Sequence, residues 1–264
     1  MLSLLYIYDK LCSMITQNGI NIKQILSQIP LNTVVTANRL AELGVSHSLM
    51  RYYEKSGWLT RIATGAYTKL DDKADMNGGL YALQNDCNLP VHISANSALK
   101  EFYGKIHFIK SDERLNLFAP SGTKLPVWFK KCFGERYILY LTDFLPHDEG
   151  LLPYSMNGFD VKVPTLERAL LELLYLVPKA VTVQEAYSVI ETVTTIKTFA
   201  MQKLLEECTS VKVKRLLFCL AENAGLQWLD AIDVQKIELG SGIRTIGDNG
   251  RLYKKYNLVI PELE

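Results

Sequence analysis

The sequence predicts an α+β protein, with an N-terminal winged helix-turn-helix over residues 1–75 and a mixed α+β domain over residues 76–264. Three observations carry this prediction. Residues 36–70 read as two short capped helices separated by a glycine and followed by a tight hairpin. Runs between 106 and 163 alternate apolar and polar side chains at the period of strands, and from Thr165 onward the apolar residues recur at the period of helices.

Taken in order, Leu2–Ile15 fits an amphipathic helix ended by Asn18-Gly19, and Ile22–Ile29 a second helix stopped by Pro30, which cannot donate to a helical ladder. Thr33–Thr36 is β-branched and predicts a short strand. Thr36 can cap a helix over Ala37–Leu43, with Leu40 and Leu43 facing inward and Gly44 ending it. Ser46 can cap the next helix, His47–Lys55, which buries Leu49 and Tyr53 while Val45 packs just ahead of it. After Ser56-Gly57, strands at 58–62 and 66–69 joined through Ala63-Thr64-Gly65 predict a hairpin, the wing. Asp71–Gly79 is polar and contains Gly78-Gly79, as a linker would.

Beyond it, strands are predicted at 106–109, 115–118, 137–142 and 159–163. Helices follow at 165–177, which is apolar on nearly all sides and so buried, and at 183–192, 197–208 and 211–224, the last closed by Gly225.

With 264 residues, 48% of them apolar, the chain can bury a real core. Its 29 Lys and Arg against 28 Asp and Glu give a net charge of +1, so a polyanionic partner has to be recognised locally. Residues 36–70 supply such a place: Arg39, Arg51, Lys55, Arg61 and Lys69 face only Glu42 and Glu54, a local net of +3. Five scattered cysteines, Cys12, Cys87, Cys132, Cys208 and Cys219, have no C-x-x-C spacing and no histidine at ligand distance. They predict reduced thiols, with no metal site and no cofactor. No apolar run reaches the length of about 18 residues that would suggest a membrane span, and the N-terminus lacks a basic leader, so a soluble cytoplasmic protein without a membrane partner is expected.

In a helix-turn-helix the second helix enters the major groove. Ser46, His47, Ser48, Arg51 and Tyr52 then fall where base edges and phosphates are met. Arg51 can fork onto guanine or a phosphate, and Lys55, Arg61 and the Thr64-Gly65 wing tip suit phosphate contacts. The competing reading is a winged helix used for protein docking, since a fold does not fix a function.

Other patterns are weaker. Gly240, Gly242 and Gly247 match neither a dinucleotide fingerprint nor a P-loop and read as a turn between strands. Asp160 and Lys162 resemble half of a nuclease pattern, but alternating charges on the solvent face of a strand explain them. A nucleotidyltransferase would need an Asp-x-Asp pair after Gly240-Ser241, and there is none. His92, His107 and His147 stand apart, each without a nucleophile or metal pattern, so no catalytic residue is named. Lys212, Lys214 and Arg215, with Arg244, Arg251, Lys254 and Lys255, form either a second basic surface or an ordinary solvated face.

The segments GWLTRIATGAY, PTLERALLELLYLVP and above all VKVKRLLFCLAENAGLQWL with IELGSGIRTIGDNGRLYKKYNLVIP resemble the AbiEi family of antitoxins, in the same order over nearly the whole chain. The resemblance implies a bacterial antitoxin of a type IV toxin-antitoxin system. Its winged helix would bind inverted repeats in its own promoter and repress the operon. Its C-terminal domain would counter a nucleotidyltransferase toxin of the AbiEii family without forming a stable complex. The DNA-reading role falls on Ser46–Lys55 and on the wing from Arg61 to Gly65. No short motif carries antitoxicity, so Lys212, Lys214, Arg215, Arg244 and Arg251 are candidates for it on charge alone. Because the DNA-reading segment is only mildly basic, binding should be modest per site, salt-sensitive and dependent on two half-sites.

Overall fold

The computed structural model describes residues 21–104, 114–248 and 250–263. The helix expected over Leu2–Ile15, the strand at 106–109, Cys12 and His107 lie outside the described residues. In chain order the elements are α1 (Ile22–Ser27), β1 (Val35–Thr36), α2 (Ala37–Glu42), α3 (His47–Lys55), β2 (Leu59–Ala63), β3 (Ala66–Lys69), α4 (Met76–Tyr81), β4 (His92–Ile93), α5 (Ala95–Tyr103), β5 (Leu115–Ala119) and α6 (Val127–Phe133). There follow β6 (Tyr137–Leu141), β7 (Leu151–Met156), β8 (Phe159–Pro164), α7 (Leu166–Leu176), α8 (Val183–Glu191), α9 (Thr198–Glu207), α10 (Val211–Asn223), β9 (Arg244–Thr245), β10 (Arg251–Tyr253) and β11 (Leu258–Ile260). This is a mixed α+β architecture with several small sheets. Two compact units form, one of Met1–Val91, Lys124–Arg136 and Pro153–Val161, the other of His92–Thr123, Tyr137–Leu152 and Lys162–Glu264.

In the first unit, Asn21 and Gln24 close a capping box on α1, side chain to backbone at 3.0 Å in both directions, which satisfies two donors that a helix start leaves unpaired. Thr36 caps α2 by accepting the Arg39 amide at 3.1 Å. Gly44, at φ +85°, makes the turn into α3. β1, β3 and β2 pair antiparallel in that order, with Val35 opposite Tyr67 and Thr60 opposite Thr68. β2 and β3 join through Thr64-Gly65, and Gly65 takes φ +76°. The core beneath them is Ile22, Ile25, Leu40, Val45, Met50, Tyr53, Leu59 and Tyr67, each worth about 1.5–3 kcal/mol of burial.

The polar stretch Asp71–Gly79, expected as a linker, is instead built structure. Asp72 accepts the Asn32 amide on both carboxylate oxygens at 3.0 Å, Asp75 caps α4 through the Gly78 amide at 2.7 Å, and the Asp75 amide bonds the Asn32 carbonyl at 3.2 Å. Gly78 lies on the backbone of Asn32 and Thr33 so closely that a Cβ there would stand 1.8 Å from the Asn32 carbonyl oxygen. Gly79 packs on Phe133 of α6, where a Cβ would stand 2.5 Å from the ring. The glycines serve close approach rather than flexibility. After α4 one wide π turn, Ala82–Asp86, brings the Asp86 carboxylate to the Thr36 amide at 2.9 Å. Burial raises the Asp86 pKa above its usual range, against the lowering by the Thr36 bonds and the Arg39 charge.

In the second unit β4 runs antiparallel to β5, and β5 parallel to β6. Phe118, Tyr140, Phe144 and Tyr175 form an aromatic cluster in which Phe144 and Tyr175 stack at 4.4 Å. Thr165 caps α7, whose residues are buried on almost every side as its unbroken apolar texture predicts. Thr182 and Glu185 form a capping box on α8, and Gly225 at φ +65° closes α10. A small sheet, β10-β11-β9, follows. β7 and β8, whose Pro153–Val161 stretch belongs to the first unit, form a hairpin through Asn157-Gly158, both at positive φ as the tightest hairpin turn requires. No helix among the described residues is long and apolar enough to cross a membrane.

Candidate nucleic-acid interface

α3 is nine residues long, and its two faces differ sharply. Ser46 caps it by accepting the Leu49 amide at 3.3 Å and shares a hydrogen bond with the Ser48 hydroxyl at 3.0 Å. Met50 and Tyr53 are fully buried and Leu49 half-buried, so the inward stripe includes Met50 as well as the two residues expected. His47, Ser48, Arg51 and Lys55 are all exposed on the remaining arc. Tyr52, expected on that open arc, packs against the core instead. Its ring lies 6.0 Å from that of Tyr53 and its hydroxyl is buried without a hydrogen-bond partner among the described residues. The reason is angular: residues 49, 50 and 53 set the buried stripe, and at about 100° per residue position 52 falls on its edge.

The hairpin adds Arg61 and Thr64, both exposed, and Gly65 at the turn. Arg61 lies beside a bulge, its Nε donating to the Ala63 carbonyl at 3.4 Å, which aims the guanidinium along the strand toward the turn. Arg51, Lys55 and Arg61 have no carboxylate within ion-pair distance among the described residues. Arg39 is paired with Glu42 at 2.9 Å. Three cations on one helix and its hairpin thus keep their charge unspent. A capped helix with short polar residues at its N-terminus and free cations behind can make charge-assisted bonds to a polyanion.

Residues 18–111 match the family model of the AbiEi antitoxin transcriptional-regulator N-terminal domain, and residues 112–261 that of the AbiEi antitoxin transcriptional regulators of type IV toxin-antitoxin systems. The chain belongs to the AbiEi antitoxin family. Its fold is similar to the crystal structure of the RV2827C protein from Mycobacterium tuberculosis, with a TM-score of 0.59 and 16% identity over 92% of this chain and 90% of that one. Among curated protein sequences, none matched this chain.

Of the other basic residues singled out in this AbiEi chain, two are not on the surface at all. Lys214 and Arg215 are buried, at 4% and 2% exposure. Arg215 donates from Nε to the Leu239 carbonyl at 2.7 Å and from Nη1 to the carbonyls of Gly242 and Asn257 at 2.7 and 3.0 Å, so the glycine-containing loop is wrapped around its guanidinium. That loop follows a short 3-10 turn at Val234–Lys236, not the strand expected before it. Lys212 points at the end of α7, donating to the carbonyls of Tyr175 and Val177. Burial first, then the charges of Lys179 and Arg244, push its pKa down to about 8. Arg244 and Arg251 are exposed, Arg251 reaching Glu262 at 3.4 Å, and Lys255 pairs with Glu222.

Sequence reading also missed a buried polar cluster. Glu172 on α7 accepts from His92 Nε2 and from Arg168 Nε, both at 2.8 Å, and from the Ser94 hydroxyl. Arg168 further donates to the Pro146 and Glu149 carbonyls. Burial works against the Glu172 charge, but His92, Arg168 and Ser94 together outweigh it and hold the carboxyl down at about 2. His147 stands elsewhere, 3.5 Å from Asp143. The i, i+4 spacing of Arg168 and Glu172 was the one signal available in advance. No group of three or more His, Cys, Asp or Glu side chains among the described residues could hold a metal ion.

Proposed function

We propose that residues 33–69 form a winged helix-turn-helix that reads double-stranded DNA through α3 and the β2–β3 hairpin, binds inverted repeats in the chain's own promoter and represses the operon. The observation that supports this best is the contrast across α3. Met50 and Tyr53 are buried, while His47, Ser48, Arg51 and Lys55 are exposed, and neither cation has an ion-pair partner among the described residues. Ser46, His47, Ser48 and Arg51 meet base edges or phosphates, and Lys55, Arg61 and the Thr64-Gly65 turn meet phosphates. Tyr52 contributes by fixing the helix rather than by touching DNA. As an AbiEi antitoxin, the chain counters a nucleotidyltransferase toxin of the AbiEii family without a stable complex, and no reaction is assigned to it.

Fluorescence anisotropy on a duplex from the promoter tests the reading. Arg51→Ala with Arg61→Ala weakens binding by roughly 1–3 kcal/mol per contact and flattens the salt dependence, while circular dichroism stays unchanged. Unaltered promoter affinity would make the segment a protein-docking module. Release of growth arrest on co-expression with the toxin, with the two chains eluting separately, tests the antitoxin half. Turnover of labelled nucleotide with Mg²⁺ by the carefully purified chain would make it an enzyme.

A further inference from the structure

α10 begins against its own dipole. Lys212, Lys214 and Arg215 crowd its start and no acid stands in its first turn, so these cations meet the positive end of the helix. Two more cations are brought to the same corner of the second unit. The Gly240–Gly242 loop lies on the first turn of α10: a Cβ at Gly240 would stand 3.2 Å from Val211 Cγ2 and 3.9 Å from Arg215 Nη2, and β9 begins just beyond with Arg244. Lys212 reaches the carbonyls of Tyr175 and Val177, close ahead of Lys179. Beyond burial, the charges that act on Lys212 are those of Lys179 and Arg244, and Arg244 acts on Arg215 as well. No carboxylate acts on either, the exposed Glu238 included. Lys179 and Arg244 are exposed and have no ion pair among the described residues. Arg215 is 2% exposed, and its Nε and Nη1 are bonded to three carbonyls, but Nη2 has no hydrogen-bond partner among the described residues. A buried guanidinium that leaves the donors of one nitrogen idle beside the exposed Gly240 is a polar group short of an acceptor.

We infer that this corner binds a compact polyphosphate, either free pyrophosphate or the phosphate chain of a nucleotide. Arg215 Nη2 donates from beneath, Lys212 gives the proton that its two carbonyls leave over, and Lys179 and Arg244 close on the outer oxygens. The positive charges are gathered at one helix end, as a phosphate chain gathers its negative ones. A duplex strings its phosphates along a strand and would be met by a row of cations instead. The amides of Ser241, Gly242 and Ile243 donate to nothing among the described residues and lie in the same loop as further donors. Bound phosphate also offsets the repulsion among Lys179, Lys212 and Arg244. The corner lies in the second unit and serves no step of the promoter reading proposed above.

Pyrophosphate, free of Mg²⁺ and at constant ionic strength, is titrated into the ¹⁵N-labelled full chain. Saturable amide shifts at Lys212 and from Gly240 to Ile243 are expected, with a dissociation constant on the order of 0.1 mM. At about a hundredfold excess over that constant the melting temperature should rise by roughly 5 °C. Lys179→Gln with Arg244→Gln, both at exposed side chains, should weaken binding roughly tenfold. The free double variant should melt no lower than the parent, because the change removes repulsion. Sulfate at the same ionic strength should leave the amides unmoved. Shifts that never saturate, that sulfate reproduces, or that the double variant retains in full overturn the site. ATP titrated in parallel names the source: tighter binding than pyrophosphate makes the ligand a nucleotide, and equal or weaker binding makes it the phosphate chain alone. If a random-sequence duplex moves these amides and pyrophosphate does not, the corner is a DNA-backbone contact and the polyphosphate site is refuted.

Discussion

Arg51 on α3 and Arg215 on α10 are the same residue on two helices, yet one is open to solvent without an ion pair among the described residues and the other is enclosed by three backbone carbonyls. The difference lies in what the fold brings to each. α3 meets the core along one stripe only, whereas α10 is buried on most sides and the loop from residue 239 to 257 closes over it. A guanidinium carries five donors and cannot shed its proton, so enclosed it must organise the chain around it, and exposed it remains available to a partner. Charge in a sequence therefore marks either a recognition surface or a structural hub.

The sharpest way to break this contrast is at the buried Glu172. Glu172→Ala leaves Arg168 enclosed without its counter-charge, and a loss of about 3–5 kcal/mol in urea denaturation is expected. Arg215→Ala should cost about 3 kcal/mol and loosen the loop around Gly240 in hydrogen exchange, because three carbonyls lose a charged donor. Arg51→Ala should change stability by less than about 0.5 kcal/mol, its effect falling on promoter affinity alone. If Arg51→Ala unfolds the protein, or Arg215→Ala spares it, the contrast is wrong. Ser46→Ala, which removes the cap of α3, should cost about 1 kcal/mol of stability.

Acid titration sharpens the same point. Glu172 titrates near 4.5 when unfolded and about 2 when folded. Its contribution is therefore present above about pH 4.5 and is lost as the pH falls toward 2, because the unfolded state then takes up the proton first. Thermal melts between those limits should show the loss, and Glu172→Gln should flatten it.

Much of the first unit was legible because its signals are local. Thr36, Gly44, Ser46 and Gly65 each act within three residues of themselves, and each sits where expected. The helices beginning after Thr165 and Thr182 were readable for the same reason. Met50 escaped because an unbranched thioether fits a core as readily as a helix surface. β4 is two residues long, too short to show alternation. α4 contains Gly78-Gly79, which propensity alone reads as a break. Lys214 and Arg215 looked like surface because the carbonyls that enclose Arg215 lie 24 to 42 residues further on, a separation that no local pattern reveals.

Gly78 bears on how this chain can be cut or spliced. The hydrogen atom it carries in place of a methyl group lets α4 lie against Asn32 and Thr33, and the same segment carries Asp86 to the amide of Thr36, the cap of α2. A truncated fragment stopping at residue 75 would lack both supports, so reporter fusions and two-hybrid baits meant to test the proposed promoter recognition need an end point beyond Val161, which keeps every segment of the first unit.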